Sequence, residues 1–254
     1  TSMAQIGYQT KWSKQWSLSG KLTYTDTAIH LDFENSTFPE HPAVINLQEL
    51  QSTGYEGEVT LLWQPSQTFN WSNGWYYRQA PTASDYLDLP LVPTPAVHQA
   101  IKHLADSEVL ATWAWFSQLN YSPNPRWKWI AGLRLEQTLG YTAISEYGKT
   151  PSEYQKIIPH YDDQDVAVIP RLAALYTPND RHTFKWMYGK AISSPSFGQN
   201  LWNRVTPGLP PLEAEQIETW EFDYLTYFSP RYLLSFNLFH NRLQKLITRT
   251  TWTA

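Results

Sequence analysis

Between Ala167 and Lys190 the chain alternates with a period of two. Val168, Pro170, Leu172, Ala174 and Tyr176 fall on one side, and Ile169, Arg171, Ala173, Leu175 and Thr177 on the other. After Pro178-Asn179-Asp180-Arg181 the alternation resumes, with Phe184, Trp186 and Tyr188 set against Thr183, Lys185 and Met187. This period is that of a strand, because successive side chains leave a sheet on opposite sides. One face is continuously apolar and aromatic, while the other keeps Arg, Lys and Thr. The pattern predicts a hairpin in a barrel wall, with lipid outside and water inside.

Four more hairpins repeat the pattern. Ala4–Trp12 and Trp16–Asp26 form the first, with Leu18, Leu22 and Tyr24 outward and Lys21 inward. Tyr55–Gln64 and Phe69–Arg78 form the second, with Val59, Leu61, Trp63, Trp71, Trp75 and Tyr77 outward. The third runs from Val109 through Ser122-Pro123-Asn124-Pro125-Arg126 and back along Trp127–Glu136, with Lys128, Arg134 and Glu136 inward. The fifth carries Trp220, Phe222, Tyr224, Phe236 and Leu238 outward. The five short turns lie near positions 14, 66, 124, 179 and 230. Long polar or proline-rich stretches separate the hairpins: 28–53, 80–107, 140–165 and 193–211. All four are expected to be loops, with a short helix over 96–104. Short turns on one rim and long loops on the other are the asymmetry of bacterial outer-membrane barrels. Arms of about 9 to 11 residues have the length a tilted strand needs to cross hydrocarbon.

Composition narrows the classes. Of 254 residues 15% are aromatic, with 13 Trp and 16 Tyr, yet only 42% are hydrophobic. No run approaches the ~20 apolar residues of a membrane helix. A soluble, aromatic-rich β binding module shares this composition, but its strands would be shorter and its turns more closely spaced. A net charge of −4 without a basic stripe excludes a nucleic-acid partner. The absence of cysteine excludes disulfides and thiolate chemistry. No His-Glu-x-x-His or Gly-x-Ser-x-Gly motif occurs, so no catalytic set is assigned.

Several segments resemble the TonB-dependent outer-membrane receptors. Trp115-Phe116-Ser117-Gln118, Tyr121-Ser122-Pro123 and Gly132-Leu133-Arg134-Leu135-Glu136 are similar to that family's F-x-Q, y-x-P and G-L-R-x-E hairpin. Pro170-Arg171 through Tyr176-Thr177-Pro178 resembles P-R-x-x-x-x-Y-x-P. Tyr188-Gly189-Lys190-Ala191 through Pro195-Ser196 resembles Y-G-x-A-F-R-x-P-S, with Ile192 for Phe and Ser193 for Arg. Leu212 through Glu221 resembles L-x-P-E-x-I-x-T-x-E, with Ala214 for Pro, and Leu238-Phe239-His240-Asn241 through Ile247 resembles the l-F-x-N-x-i segment. The motifs occur in family order over Trp115 to Ile247.

The resemblance implies an all-β, transmembrane, antiparallel up-and-down β-barrel of 22 strands around a plug. Residues 1–254 then supply one partial barrel domain of about ten strands. The plug and the closing strands are expected outside this chain. The implied localisation is the bacterial outer membrane. The implied role is energised uptake of a scarce nutrient, a ferric siderophore first and vitamin B12 second. The implied partners are membrane lipid, the receptor's own plug and, through it, the TonB energy-transducing protein. A self-closed ten-stranded outer-membrane hydrolase is the alternative from another class.

Candidate ligand contacts are loop and rim residues whose rings stack and whose guanidinium groups pair with anions: Trp75, Tyr77, Arg78, Tyr147, Tyr161, Trp202 and Arg204. Interfacial Trp and Tyr are expected at such positions in any barrel. Asp162, Asp163 and Asp165 beside His160 read either as a solvated acidic loop or as a calcium site, because carboxylate oxygens suit that hard cation. Calcium is the one cofactor considered.

Overall fold

The computed structural model describes residues 1–35, 44–80, 82–90, 99–104, 110–142, 144–148, 155–158, 160–196, 199–200, 203 and 209–248. Ten strands form one antiparallel meander. They are β1 (Ser2–Lys11), β2 (Trp16–Asn35), β3 (Val44–Ser66), β4 (Phe69–Ala80), β7 (Leu110–Asn124), β8 (Trp127–Thr138), β13 (Ala167–Asn179), β14 (His182–Ser193), β15 (Glu215–Ser229) and β16 (Tyr232–Gln244). β1 and β16 do not pair, so the sheet is an open wall and not a self-closed ten-stranded barrel.

The register keeps the predicted faces intact. Leu172 lies opposite Ala131 and Tyr188, and Ala174 opposite Trp129 and Trp186. A one-residue slip would turn every outward ring inward, so this burial pattern specifies the register. Rings gather in two outward belts. On the turn side Trp16 stacks on Trp63 at 5.7 Å, Trp127 on Tyr176 at 4.4 Å and Phe184 on Tyr224 at 4.8 Å. On the far side are Tyr24–Tyr55, Trp75–Trp113 and Tyr188–Trp220. Aromatic side chains belong at membrane interfaces because their apolar body meets lipid and their polar tip meets water. Within the wall, the Trp71 indole donates to Ser117 Oγ at 2.9 Å and the Trp113 indole to Gln137 Oε1 at 3.0 Å. Donors in lipid need such partners, since no water is there to satisfy them.

The five turns share one closure. A Ser or Asn oxygen accepts a backbone N–H two residues on: Ser13 from Gln15, Ser66 from Thr68, Asn124 from Arg126, Asn179 from Arg181 and Ser229 from Arg231. These are Asx- and Ser-type turns. Pro65, Pro123 and Pro178 precede that residue and sit where the ladder register shifts. Proline has no N–H to give the ladder, so the break falls there. Neighbouring hairpins are tied together in the same way each time. Gln64 N donates to Gln15 O, Ser122 N to Thr68 O, Thr177 N to Arg126 O and Tyr227 N to Arg181 O, at 2.7 to 2.9 Å.

The stagger is equally regular. Trp16 faces Trp63, Phe69 faces Tyr121, Trp127 faces Tyr176 and His182 faces Thr226, always three residues short of the last pair of the next hairpin. Along each returning strand the offset is two residues. Spread over the two strands of a hairpin, at ~3.3 Å per residue and ~4.8 Å per strand, that offset corresponds to a strand tilt of about 35°, the lower end of the range of membrane barrels.

The long-loop side departs from expectation. Within the stretch expected to be a loop over 28–53, residues 28–35 and 44–53 are strand, since β2 and β3 stay paired up to Asn35 and Val44, and 36–43 lie outside the described residues. The stretch 80–107 contains β5 (Thr82–Pro90) and β6 (Gln99–Leu104). The expected helix over 96–104 is therefore a strand from 99 onward, and 96–98 lie outside the described residues. The stretch 140–165 contains β9 (Tyr141–Thr142), β10 (Ile144–Gly148), β11 (Gln155–Ile157) and β12 (His160–Tyr161). β3 carries β4 along Tyr55–Ser66 and β5 along Val44–Ser52, and the sheet continues through β6, β10 and β11. Pairing carries on past the membrane-spanning length because exposed backbone groups gain bonds by extending an existing ladder.

Candidate functional site

Above the wall, on the long-loop rim, a cleft of about 720 Å³ opens over β8, β13, β14 and β15. Pro170 explains where it begins. β13 pairs with β8 along its length up to Ala167, but its ladder with β14 ends at Arg171–Gly189. Pro170 has no N–H to offer, and above it the two strands separate. Val168 and Ala167 line one side of the opening, Lys190, Ile192 and Ser194 the other.

A clamp of hydrogen bonds holds the cleft's outer wall. β9 pairs with β12, and the Tyr141 and Tyr161 rings stack at 4.7 Å. Gly140 N donates to Asp163 Oδ1 at 2.6 Å, and Gln164 N to Thr138 O at 2.9 Å. A Cβ at Gly140 would lie 2.5 Å from the Tyr161 carbonyl oxygen, so the two segments approach this closely only around a glycine. Ser194 Oγ donates to Gln164 Oε1 at 3.0 Å, and Asn200 Nδ2 to the Tyr141 hydroxyl at 3.0 Å. Tyr141 is 3% exposed, and burial raises its phenol above the usual value despite the opposing Asn200 bond. Lys245, in the left-handed region at φ 56°, closes the far end by pairing with Glu213.

Among the described residues the predicted ligand contacts lie in different parts of the sheet. Tyr161 lines the cleft with Tyr141. Trp75 and Tyr77 lie on the outward, lipid-facing side, 60% and 44% exposed, while Arg78 follows on the inward side. Tyr147 pairs with Ile101 and Gln155 in the extended sheet. Trp202 and Arg204 lie outside the described residues. Asp162, Asp163 and Asp165 all border the cleft, but Asp163 is turned to the Gly140 amide and the Asp162 side chain is 97% exposed. Among the described residues no three His, Asp or Glu side chains gather as a metal requires. Thr142, His160 and Asp162 stand in the order of a nucleophile, base and acid. The His160–Asp162 separation of 3.8 Å is too long for the hydrogen bond such a relay needs.

The inward face holds the wall's charge pairs. Lys21 meets Glu56 at 3.3 Å, Arg134 meets Glu136 at 2.6 Å and Lys185 meets Asp223 at 3.4 Å. The Arg134 guanidinium also lies 5.3 Å from the Tyr76 ring centre. The Lys21 and Arg134 pairs follow from the alternation; Asp223 is a partner that sequence reasoning passed over. The Gln164–Ser194–Asn200 side of the clamp left no signal in spacing, since its members are 30 to 59 residues from their partners. Pro170 was the available clue to the cleft, as a proline inside a central strand marks a ladder break.

Comparison with known proteins agrees with this architecture. No curated protein matches the chain. The ferric yersiniabactin uptake receptor FyuA from Yersinia pestis superposes with a TM-score of 0.73 at 12% identity, over 95% of this chain and 35% of that one. The siderophore receptor PiuA from Acinetobacter baumannii gives 0.65 at 11%, over 93% and 39%. The copper transporter OprC gives 0.59 at 13%, over 89% and 37%. The chain thus spans between a third and two-fifths of the length of these structures. The family model described as TonB dependent receptor-like, beta-barrel matches residues 1–254. The chain therefore belongs to the TonB-dependent receptor-like β-barrel family of the bacterial outer membrane.

Proposed function

We propose that this chain is part of the barrel of a receptor that takes up a scarce nutrient across the outer membrane with energy delivered through TonB, and that the nutrient is a ferric siderophore. The observation that carries the reading is the family match over the whole chain, on a wall whose outer face is apolar and whose inner face is charged. A charged, hydrated inner face suits a lumen occupied by a plug. Both edge strands need partners in lipid, where unpaired backbone groups are costly. The strands that complete the ring are supplied by the rest of the receptor.

Ligand first meets the long-loop rim. There Tyr161, backed by the buried Tyr141 ring, offers a flat ring, and Arg78 and Lys190 offer positive charge. A ferric siderophore presents aromatic or anionic chelating groups that such residues recognise. FyuA and PiuA are named for siderophores, and OprC for copper, so the shared fold leaves the metal complex to be chosen by experiment. The test is uptake of labelled iron by cells making the full-length receptor as their only high-affinity route. Uptake from a ferric siderophore that stops when the proton gradient is collapsed supports the reading. Unchanged iron uptake with energised uptake of copper or vitamin B12 overturns the siderophore assignment and keeps the receptor. Passage of small solutes that needs no energy overturns both.

A further inference from the structure

We propose that the outward face of β14 to β16 holds one phosphorylated glycolipid of the outer leaflet, with its phosphate between Lys190 and Arg242 and an acyl chain in the groove below them. The inference rests on the chain's place in the outer membrane and not on which nutrient the receptor takes up.

Lys190 and Arg242 stand apart from every other strand cation. On β14 and β16 the outward residues have even numbers, as Trp186, Tyr188, Leu238 and His240 do, and Lys190 and Arg242 share that parity. Every other Lys and Arg of the ten-strand meander, Arg78, Lys128 and Arg171 included, falls on the inward parity. The two outward cations also lie in one ladder row, with Lys190 opposite Glu218 and Glu218 opposite Arg242. Among the described residues no ion pair joins Glu218 to either of them. In the amide orientation that satisfies both groups, Gln244 accepts from Arg242 Nη2 at 2.7 Å and from Nε at 2.8 Å. This pair of bonds orients the guanidinium and leaves its other amino group for a ligand. From Tyr232, where β16 leaves its turn, to Arg242 the strand has the ~9–11 residues that cross hydrocarbon. The row therefore stands at the extracellular interface, at the depth of lipid phosphates.

The surface below this row is hollow. A groove of about 730 Å³ crosses the outward face over Trp129, Ala174, Trp186, Trp220, Leu238 and His240. That volume is in the range of small-molecule sites. Ala174 lies between Trp129 and Trp186 in the ladder, and a methyl group flanked by two large rings leaves a slot that the wall does not fill. The direction of the groove follows from the stagger. Each hairpin reaches three residues further than the last at the turn rim, so with the turns level the ladder rows climb from β8 toward β16. The groove therefore rises from Trp129, near the turns, to His240, which lies beneath Arg242 on the same face. An apolar slot with cations at its upper end fits an acyl chain and its phosphate head. At ~4.8 Å per strand, Lys190 and Arg242 are roughly 10 Å apart at the backbone, so both long side chains reach one phosphate from opposite sides. A phosphate monoester carries up to about two negative charges and three acceptor oxygens, enough to meet both cations across the single charge of Glu218. A phosphodiester with one charge matches the row less well, which favours the glycolipid over a phosphoglyceride.

The test is native mass spectrometry of the full-length receptor, stripped of lipid in detergent and titrated with three probes: diphosphoryl lipid A, the same lipid freed of phosphate, and phosphatidylglycerol. One diphosphoryl molecule is expected to bind ahead of the other two probes. Arg242→Gln should lower its affinity about tenfold, the scale for losing a charge-assisted bond, and Arg242→Lys should lower it less. Arg242 is the cleaner probe because Lys190 also borders the rim cleft and Arg242 does not. Ala174→Trp, which fills the groove, should weaken the phosphorylated and dephosphorylated lipids alike. Glu218→Gln removes the opposing charge and should tighten binding of the phosphorylated lipid. Inward Lys128→Gln should leave all three unchanged. Equal binding of the dephosphorylated lipid, preference for phosphatidylglycerol, or unchanged binding in both Arg242→Gln and Ala174→Trp overturns the proposal. So does weaker binding in Glu218→Gln, which would mean that the cations serve the acid and not a phosphate. Ala174→Trp protects the test if Arg242→Gln does not fold, since it exchanges one apolar group for another on a face that meets lipid.

Discussion

The two rims of this wall are built by opposite rules. On the turn rim five closures repeat one device, a Ser or Asn oxygen capping an N–H two residues on, and each neighbouring pair is tied by the same backbone bond. On the long-loop rim the described parts of the connections differ from one another. One hairpin simply grows to Asn35, one passes its pairing to β5 and β6, and one is pulled over the cleft by Gly140, Gln164 and Ser194. The difference follows from what each rim has to do. A tight turn has few backbone solutions, so local chemistry decides it. Long segments at a rim are positioned by contacts far apart in sequence, and they are where recognition is placed on a rigid scaffold.

Both rims hang from the apolar band between them, and the largest effect is expected there. Ala131→Arg, on the lipid-facing row between Leu119 and Leu172, should cost about 2–4 kcal/mol at the middle of the bilayer. Ala173→Arg, on the opposite face, should cost far less. Urea unfolding of the full-length receptor in lipid measures both. Equal losses would mean that the two faces do not differ in solvent.

Next is a backbone clash on the irregular rim. Gly140→Ala puts its Cβ against the Tyr161 carbonyl, and overpacking of this kind costs about 1–3 kcal/mol. The loss should be local: faster hydrogen exchange over 138–165, with the turn rim unaffected. Exchange that rises equally at both rims would break the distinction between them.

On the regular rim the expected losses are smaller and graded. Asn179 accepts from both Arg181 and His182, and Asn124 from Arg126 alone. At about 0.5–1.5 kcal/mol per net hydrogen bond, Asn179→Ala should destabilise more than Asn124→Ala in the same unfolding experiment. The reverse order would show that these caps are not what holds the turns.

The smallest effect is at the clamp. Tyr141→Phe keeps the ring stack on Tyr161 and loses the Asn200 bond, for under about 1 kcal/mol. Burial holds the Tyr141 phenol neutral above its unfolded pKa. Its contribution is therefore complete below that unfolded value and is lost as pH rises through the higher folded one. Local exchange at the clamp should speed up in alkali in the parent and stay flatter in the variant.

The wall was legible because its signal is local and periodic. Leu172, Trp186 and Phe222 announce a lipid face every second residue, and Pro123-Asn124 and Pro178-Asn179 announce turns. The upper sheet was not legible. Residues 28–53 lack a strict alternation, and β5, β6 and β10 exist because earlier strands give them a ladder to extend. The site was the least legible part. Trp75 and Tyr77 are candidate rim aromatics whose parity already places them outward, and the register keeps them on the lipid side. Arg78, one residue on, faces inward. The cleft depends on Pro170 and on contacts between segments 30 or more residues apart, which no short window contains.

If this chain is a tilted membrane wall, one face meets lipid and the other a hydrated lumen. The most direct measurement places a fluorescent label singly at each position from 168 to 190 in the full-length receptor and quenches it from lipid acyl chains. Quenching is expected to alternate along both strands, strong at 172, 174, 184, 186 and 188, weak at 171, 173, 185 and 187, and absent at the 179–181 turn. Uniform quenching, or none, would contradict it.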